Sequence, residues 1–261
     1  MGAVSMARRA AKAAVLPAGL LRPRRRGDLV VLLYHRVGVG EGEIDLPREV
    51  FERQMRTLAE AGEARSLDEA LGNGSRGGVV VTFDDGTPDF HEHVLPCLIR
   101  NRIPAVLYLA TGPVEERPNG NGRAVAWSQL REAVSTGLVT VGSHTHTHRP
   151  LVHVSEAEAE EEMRRSKDLI EDRLEVECGH FAYPFAAGSE DADRAARRLF
   201  RTAALHAWRT NRAGRTDPHR LGRTPVLRSD GHAFFRAKAR GMLDGEAWVY
   251  RALRRGPWRW S

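Results

Sequence analysis

Two adjacent carboxylates, Asp84 and Asp85, follow a run of apolar and β-branched residues at positions 79–83. Glycines bound this stretch on both sides, which is typical of a buried strand in a parallel sheet. Because neighbouring residues of a strand point to opposite faces, we expect the two carboxylates to have different roles. One can bind a cation while the other faces a substrate or a water molecule. The alternative interpretation is a simple Asp-Gly turn that closes a strand.

Three histidines at alternating positions, His144, His146 and His148, follow a second strand-like run at residues 139–143. Two imidazoles and one carboxylate, with coordination positions left open, commonly hold a catalytic divalent metal ion. Asp85 with two of these histidines would form such a site. The alternative is a solvated polar loop that happens to be rich in histidine.

Together, the two stretches resemble the polysaccharide deacetylases, carbohydrate esterase family 4, which share the NodB homology domain. Residues 82–86 read Thr-Phe-Asp-Asp-Gly, the first motif of that family, and residues 144–148 fit its second motif, His-(Ser/Thr)-x-x-His. The resemblance implies that Asp84 is the catalytic base. It also implies that Asp85, His144 and His148 bind a divalent metal ion, most often zinc. His146 occupies a variable position of the motif and is not expected to be a ligand.

The third motif of the family, Arg-x-Pro-(Phe/Tyr), is expected near residues 181–185. Pro184 and Phe185 match it, but Ala182 replaces the arginine that orients the base in family members. Deacetylases of partly polymeric β-1,6-linked N-acetylglucosamine share this departure. By analogy, the backbone N–H of Phe185 serves the oxyanion hole. No fourth or fifth motif is recognisable, and His206 and His232 are candidates by residue type only.

The first strand-like run, residues 29–35, ends in His35. This resembles the circularly permuted branch of the family, similar to the poly-N-acetylglucosamine deacetylases, in which the last barrel strand has moved to the front. The resemblance implies that His35 lies at the same barrel end as Asp84 and protonates the leaving amine. The alternative is a structural histidine that hydrogen-bonds a backbone group at the barrel mouth.

The elements that must position these residues alternate between strand and helix. Seven or eight strand-like segments, most of them separated by helices, predict an α/β fold with a parallel sheet. The reactive residues lie at the carboxyl ends of strands, where barrel enzymes place their sites. This agrees with the single-domain, distorted and circularly permuted (β/α)7 barrel that the resemblance implies. The longest helix is predicted at 155–177, where Ser155 and Glu158 form a capping box and the acidic run is helix chemistry and a solvated face. Residues 111–124 read as an exposed loop, and one more strand is expected at 224–228.

The 261 residues carry a formal charge of +6, and 37 of the 40 basic residues are arginine. Such diffuse positive charge suits an anionic cell wall, a membrane surface or nucleic acid and selects none of them. Residues 28–261 form the predicted deacetylase domain, with a basic tail from about 236, and residues 1–27 are predicted to be a basic amphipathic or disordered segment. No clear signal peptide or transmembrane helix is recognisable. We expect a monomer without a nucleic-acid partner and with peripheral contacts to an anionic surface.

The function expected from these features is metal-dependent removal of N-acetyl groups from an N-acetylglucosamine-containing polysaccharide, with release of acetate. That substrate favours a location at the cell envelope or outside the cell, with a cytoplasmic location left open. Two other functions stay open at this point. One is a non-catalytic carbohydrate-binding protein on the same fold. The other is a metal-dependent hydrolase acting on a different amide or on an O-acetyl ester.

Overall fold

A computed structural model of the protein describes residues 27–72, 74–116, 124–206 and 209–241. Within these residues, seven parallel strands close into a barrel, because the first strand pairs with both the second and the last. The barrel strands are β1 (Asp28–Tyr34), β2 (Gly78–Asp85), β3 (Ala105–Leu109), β4 (Val139–Ser143), β5 (His180–Ala182), β6 (Thr202–His206) and β7 (Leu221–Pro225). The expected (β/α)7 barrel is confirmed. β1 lies between β2 and β7, as the permuted arrangement predicts.

Helices fill most of the connections, and most of them pack on the outer face of the barrel. They are α1 (Arg48–Ala61), α2 (Leu67–Leu71), α3 (Leu95–Asn101), α4 (Thr111–Glu116), α5 (Trp127–Ser135), α6 (Glu156–Leu174), α7 (Glu190–Leu199) and α8 (His232–Ala239). A π-helical turn, Phe90–Val94, precedes α3, and 3₁₀ turns occur at Pro184–Ala186 and Pro218–Arg220. The outward side chains of the strands form one large core with these helices, including Phe51, Phe83 and Phe181.

The inward side chains fill the lower part of the barrel with apolar residues, among them Val31, Val80 and Val106. Helix α2 closes the amino end by placing Leu67 and Ala70 against them. Ser66 starts α2 through a capping box, since its hydroxyl accepts the Glu69 N–H while the Glu69 carboxylate accepts the Ser66 N–H. The polar residues that end the strands therefore meet at the opposite, carboxyl end.

Two sequence expectations on the elements need correction. Residues 111–116, predicted as loop, form α4, because Thr111 and Val114 are buried and Pro113 is tolerated in a first helical turn. The strand expected near 224–228 lies three residues earlier, as β7. The predicted capping box of α6 is present at Ser155, although the helix ends at Leu174.

The terminal segments lie outside the described residues, apart from the start of the basic tail in α8. The expectations for residues 1–26 and 242–261 therefore stay predictions. Among the described helices, none is long and apolar enough to cross a membrane. Cys97 and Cys178 are both buried free thiols.

Candidate active site

The paired carboxylates at the end of β2 differ in environment, as strand geometry predicts. The Asp84 side chain is 4% exposed and the Asp85 side chain 35% exposed. Asp85 has a positive φ of 74°, a conformation that costs free energy in a residue with a Cβ and is common at functional sites. Gly86 follows with φ of 81° and completes the turn. The turn therefore leaves Asp84 buried and brings Asp85 to the barrel mouth.

Asp85, His144 and His148 form a cluster in which one ligand atom from each lies within 4.8 Å of the other two. The Asp85 Oδ1 atom is 3.1 Å from His148 Nε2 and 3.7 Å from His144 Nε2. The Nδ1 atom of His144 is 2.7 Å from the carbonyl oxygen of Ala182. A ring that donates from Nδ1 to a carbonyl leaves its Nε2 lone pair free for a metal ion. The donor set and its spacing fit one divalent ion.

The pKa shifts of Asp85 and His144 in this cluster favour the binding of a cation. Burial raises the pKa of Asp85, but its hydrogen bond with His148 and the nearby His35 and His144 rings outweigh burial and lower it. Burial lowers the pKa of His144, which favours the neutral ring that a metal requires. For His148, burial lowers the pKa and contact with Asp85 raises it, with a net increase. A bound cation would replace the proton that Asp85 otherwise favours on His148.

His146 is turned away from the cluster. Its Nδ1 atom lies 2.9 Å from the Thr111 hydroxyl, in a buried position behind the loop. Burial lowers the pKa of this ring. The structure therefore brings together the two histidines that the motif marks as ligands and separates the third from them.

His35 and Phe185 lie at the same end of the barrel. His35 directly follows β1 and is close enough for its charge to lower the pKa of both Asp84 and Asp85. Within the described residues, no backbone group hydrogen-bonds its ring. Phe185 has a φ of 54° and is 47% exposed, and its ring centroid is 4.9 Å from that of His148. The structure thus places His35, Phe185 and the cluster of Asp85, His144 and His148 around one mouth.

The two remaining histidine candidates do not join this group. His232 begins α8 and lines a cleft between α1 and α8 on the outer side of the barrel. The side chain of His206 is outside the described part of the chain.

A family model described as polysaccharide deacetylase matches residues 72–204, a little over half of the chain. The chain belongs to the polysaccharide deacetylase family. YxkH of Bacillus subtilis is 24% identical over 183 residues, which cover 67% of this chain and 63% of that protein. The poly-beta-1,6-N-acetyl-D-glucosamine N-deacetylase of Staphylococcus aureus is 26% identical over 121 residues, which cover 43% of this chain and 42% of that enzyme. The chain thus spans less than two thirds of these two curated relatives.

Among solved structures, IcaB from Ammonifex degensii is similar with a TM-score of 0.71 and 26% identity. The match covers 85% of this chain and 99% of that chain. The barrel described above is therefore shared over nearly the whole length of that protein.

One residue that contacts this candidate site, Arg223, could not be found from the sequence motifs. Its guanidinium makes two hydrogen bonds with Asp84, from Nη1 to Oδ1 at 2.5 Å and from Nη2 to Oδ2 at 2.8 Å. Both side chains are almost fully buried, and the guanidinium also lies 5.2 Å from the centre of the Tyr108 ring. The planar fork fixes the orientation of the carboxylate. Arg223 thus makes the orienting contact with Asp84 that was expected of the third-motif arginine, which Ala182 replaces here.

Arg223 also sets the charge state of Asp84. Burial raises the pKa of Asp84, but Arg223 and His144 outweigh burial and lower it. The carboxylate is therefore ionised at neutral pH despite its burial. The sequence does contain a signal for Arg223, because an arginine inside a short strand can point into the barrel. The last strand was predicted three residues too late, so Arg223 lay outside the predicted strand.

Proposed function

We propose that this chain is a metal-dependent N-deacetylase that hydrolyses the acetamide of an N-acetylglucosamine-containing polysaccharide and releases acetate. The observation that carries the proposal is the buried carboxylate of Asp84, held by Arg223, directly beside the cluster of Asp85, His144 and His148. The His144 Nε2 atom is 3.6 Å from Asp84 and 3.7 Å from Asp85, so base and ligand set share one small volume. The named Staphylococcus aureus relative acts on such a glycan and supports this substrate class.

Asp85, His144 and His148 would hold the ion, which we propose to be zinc because two imidazoles and a carboxylate with an open position suit it. When bound, the ion supplies a Lewis acid that polarises the acetyl carbonyl and acidifies the attacking water. Asp84 accepts a proton from that water as its oxygen attacks the carbonyl carbon. Arg223 keeps the Asp84 carboxylate oriented during this transfer.

The negative charge that develops on the carbonyl oxygen is stabilised by the backbone N–H of Phe185. One such donor contributes about 3–4 kcal/mol to the transition state. His35 donates a proton to the sugar nitrogen as the carbon–nitrogen bond breaks, because an amide anion is too basic to leave. The products are acetate and a free amine on the glycan, and the atoms and protons balance.

A carbohydrate-binding protein on the same fold would have no use for a base. The buried Asp84–Arg223 pair therefore favours an enzyme over a binder, since desolvating two charges is costly unless they serve a purpose. A hydrolase for O-acetyl esters would share the base and the metal site but would need no acid for its leaving group. The position of His35 beside the carboxylates therefore favours an amide substrate.

The location and the surface contacts of the protein are also proposals, and the location follows from a polysaccharide substrate. We propose that the protein works at the cell envelope or outside the cell, as a monomer, with its basic surface available for peripheral contact with an anionic wall or membrane.

The decisive experiment measures acetate release by the full chain from β-1,6-linked N-acetylglucosamine oligomers and from acetylxylan. We expect release from the N-acetylated substrate, loss of activity on chelation and recovery on addition of Zn²⁺. His148→Ala should abolish zinc binding and activity, whereas the matched variant His146→Ala should retain zinc. Asp84→Asn should bind zinc but lose about 10²–10⁴-fold in rate. Zinc retained by His148→Ala, or acetate released only from acetylxylan, would overturn the proposal.

A further inference from the structure

The loop of residues 144–148, which carries His144 and His148, has an unfavourable backbone conformation. Thr145 has a φ of 67° and His148 a φ of 58°, so two of its five residues occupy the left-handed region without being glycine. Such conformations persist only where surrounding contacts hold them. The Thr145 hydroxyl accepts the His148 N–H at 3.1 Å, but this bond lies within the loop and does not attach it to the barrel.

Three of the hydrogen bonds that attach the loop are made by the carboxylate of Glu162 on α6. Its Oε2 atom accepts the Thr147 N–H at 2.8 Å and the His146 N–H at 3.1 Å. Its Oε1 atom accepts the Thr147 hydroxyl at 2.8 Å. The His146 N–H also lies 3.1 Å from the Glu162 backbone carbonyl. One side chain thus satisfies three donors between the two histidine ligands.

The opposite side of the loop is held by α4. The Gly112 N–H donates to the His146 carbonyl at 2.7 Å, and the Thr111 N–H donates to the Thr145 carbonyl at 3.3 Å. A Cβ at Gly112 would lie 2.7 Å from the His146 oxygen, so only glycine allows this approach. Helix α4 therefore binds carbonyl groups of the loop, whereas the N–H groups of His146 and Thr147 donate to α6.

Helix α6 is a rigid support for Glu162. The neighbouring Met163 is fully buried in the core, and the Ser166 hydroxyl is 3.0 Å from that of Ser143 on β4. The acidic run of α6 was interpreted from the sequence as helix capping and a solvated face. The structure separates Glu162 from that run, because its carboxylate turns to the loop while Glu161 beside it is exposed.

We propose that Glu162 is a positioning residue for the metal site. It holds the loop in the strained conformation that brings the Nε2 atoms of His144 and His148 to Asp85, and so increases metal affinity. The proposal rests on the proposed function only in that Asp85, His144 and His148 are the metal ligands. Residues that orient metal ligands through hydrogen bonds typically change metal affinity by about 10–100-fold when they are removed.

The test measures the dissociation constant of Zn²⁺ alone from the full chain, by competition with a chromophoric chelator. We expect Glu162→Ala to weaken zinc binding by about 10–100-fold. The matched variant Glu161→Ala, on the same helix but exposed, should bind zinc as the wild type does. Glu162→Gln should be intermediate, because one amide oxygen can accept only part of what two carboxylate oxygens accept.

The melting temperature of each variant without metal is measured as well, because it shows whether a substitution destabilises the whole fold. If the zinc affinity of Glu162→Ala is within about twofold of that of Glu161→Ala, the proposal is overturned, whatever the melting temperature. If Glu162→Ala does not fold, Thr147→Ala decides, since Thr147 is exposed and its hydroxyl bonds only to Glu162 in the described structure. We expect a loss on the order of threefold from that variant, and unchanged affinity would contradict the proposal. A wild-type chain that binds no zinc would instead contradict the proposed function.

Discussion

Asp84 and Asp85 are chemically identical side chains whose surroundings give them different properties. Asp84 is buried against Arg223, whereas the positive φ of Asp85 brings its carboxylate to the histidines. His35 completes the residue-scale arrangement, because its charge acts on both carboxylates from the end of the neighbouring strand. The three side chains therefore divide proton removal, metal binding and proton donation among them in the proposed mechanism.

His35→Ala tests the assignment of the acid. We expect the rate on an N-acetylated sugar to fall by about 10²–10⁴-fold. An activated aryl acetate should be far less affected, because its leaving group departs without a proton. His91→Ala is the matched control, since His91 lies on the outer surface and pairs with Glu132 at 2.8 Å. Steady-state rates on both substrates and the zinc content decide the outcome, and equal losses on both substrates would show that His35 is not the acid.

At the scale of elements, the closed barrel explains how Arg223 can replace a motif residue from another strand. Inward-pointing side chains from all strands share one interior, so an arginine on β7 can reach a carboxylate on β2. Ala182 on β5, where the family has its arginine, instead contributes its backbone carbonyl to His144. In this chain the arginine that orients Asp84 therefore comes from β7 and not from the strand of the third motif.

Arg223→Met tests this role through the pH dependence of kcat/KM. In the wild type, Arg223 outweighs burial and lowers the pKa of Asp84. Without the guanidinium, burial raises that pKa, so the acid limb of the profile should move to higher pH. Activity at neutral pH should fall on the order of tenfold or more and recover in part as pH rises.

The conservative variant Arg223→Lys provides the control for charge. It keeps a cation near Asp84 without the two-pronged hydrogen bond, so its acid limb should lie between those of the wild type and Arg223→Met. An unchanged acid limb in Arg223→Met would show that Arg223 does not set the ionisation of the base.

At the scale of the whole molecule, barrel closure depends on contacts near the end of the described chain. The Lys238 ammonium of α8 lies 2.6 Å from Asp230 and 2.7 Å from the Pro225 carbonyl at the end of β7. Both charged side chains are fully buried. This pair links the last helix to β7, which carries Arg223 and pairs with β1, the strand that ends next to His35.

Lys238→Ala should therefore reduce the free energy of unfolding by about 3–5 kcal/mol, because it removes the buried cation that compensates the buried charge of Asp230. Denaturant unfolding followed by circular dichroism measures this change. Arg236→Ala, at an exposed position of the same helix, should change stability by no more than about 0.5 kcal/mol. Similar stability for the two variants would show that the buried pair does not hold α8 to the barrel.

The sequence by itself determined the alternation of strands and helices and the ends of the strands that precede His35, Asp84 and His144. These features depend on local patterns, such as the apolar run before Asp84 and the capping box at Ser155. The motif resemblance added the barrel and the candidate roles of Asp84, Asp85, His144 and His148. Short, ambiguous segments were less predictable, and α4 formed where Gly and Pro had indicated a loop because burial of Thr111 and Val114 outweighed local preference.

Only the tertiary structure decided which distant side chains complete the site. Arg223 lies 139 positions from Asp84 in the chain, and no periodicity or spacing connects residues that far apart. Glu162 is closer in sequence, but its contact with Thr147 depends on how α6 packs against β4. Both cases have the same physical reason. A local pattern records the conformation of its own segment, whereas the partner of a buried charge or a strained loop is chosen by the closure and packing of the whole barrel.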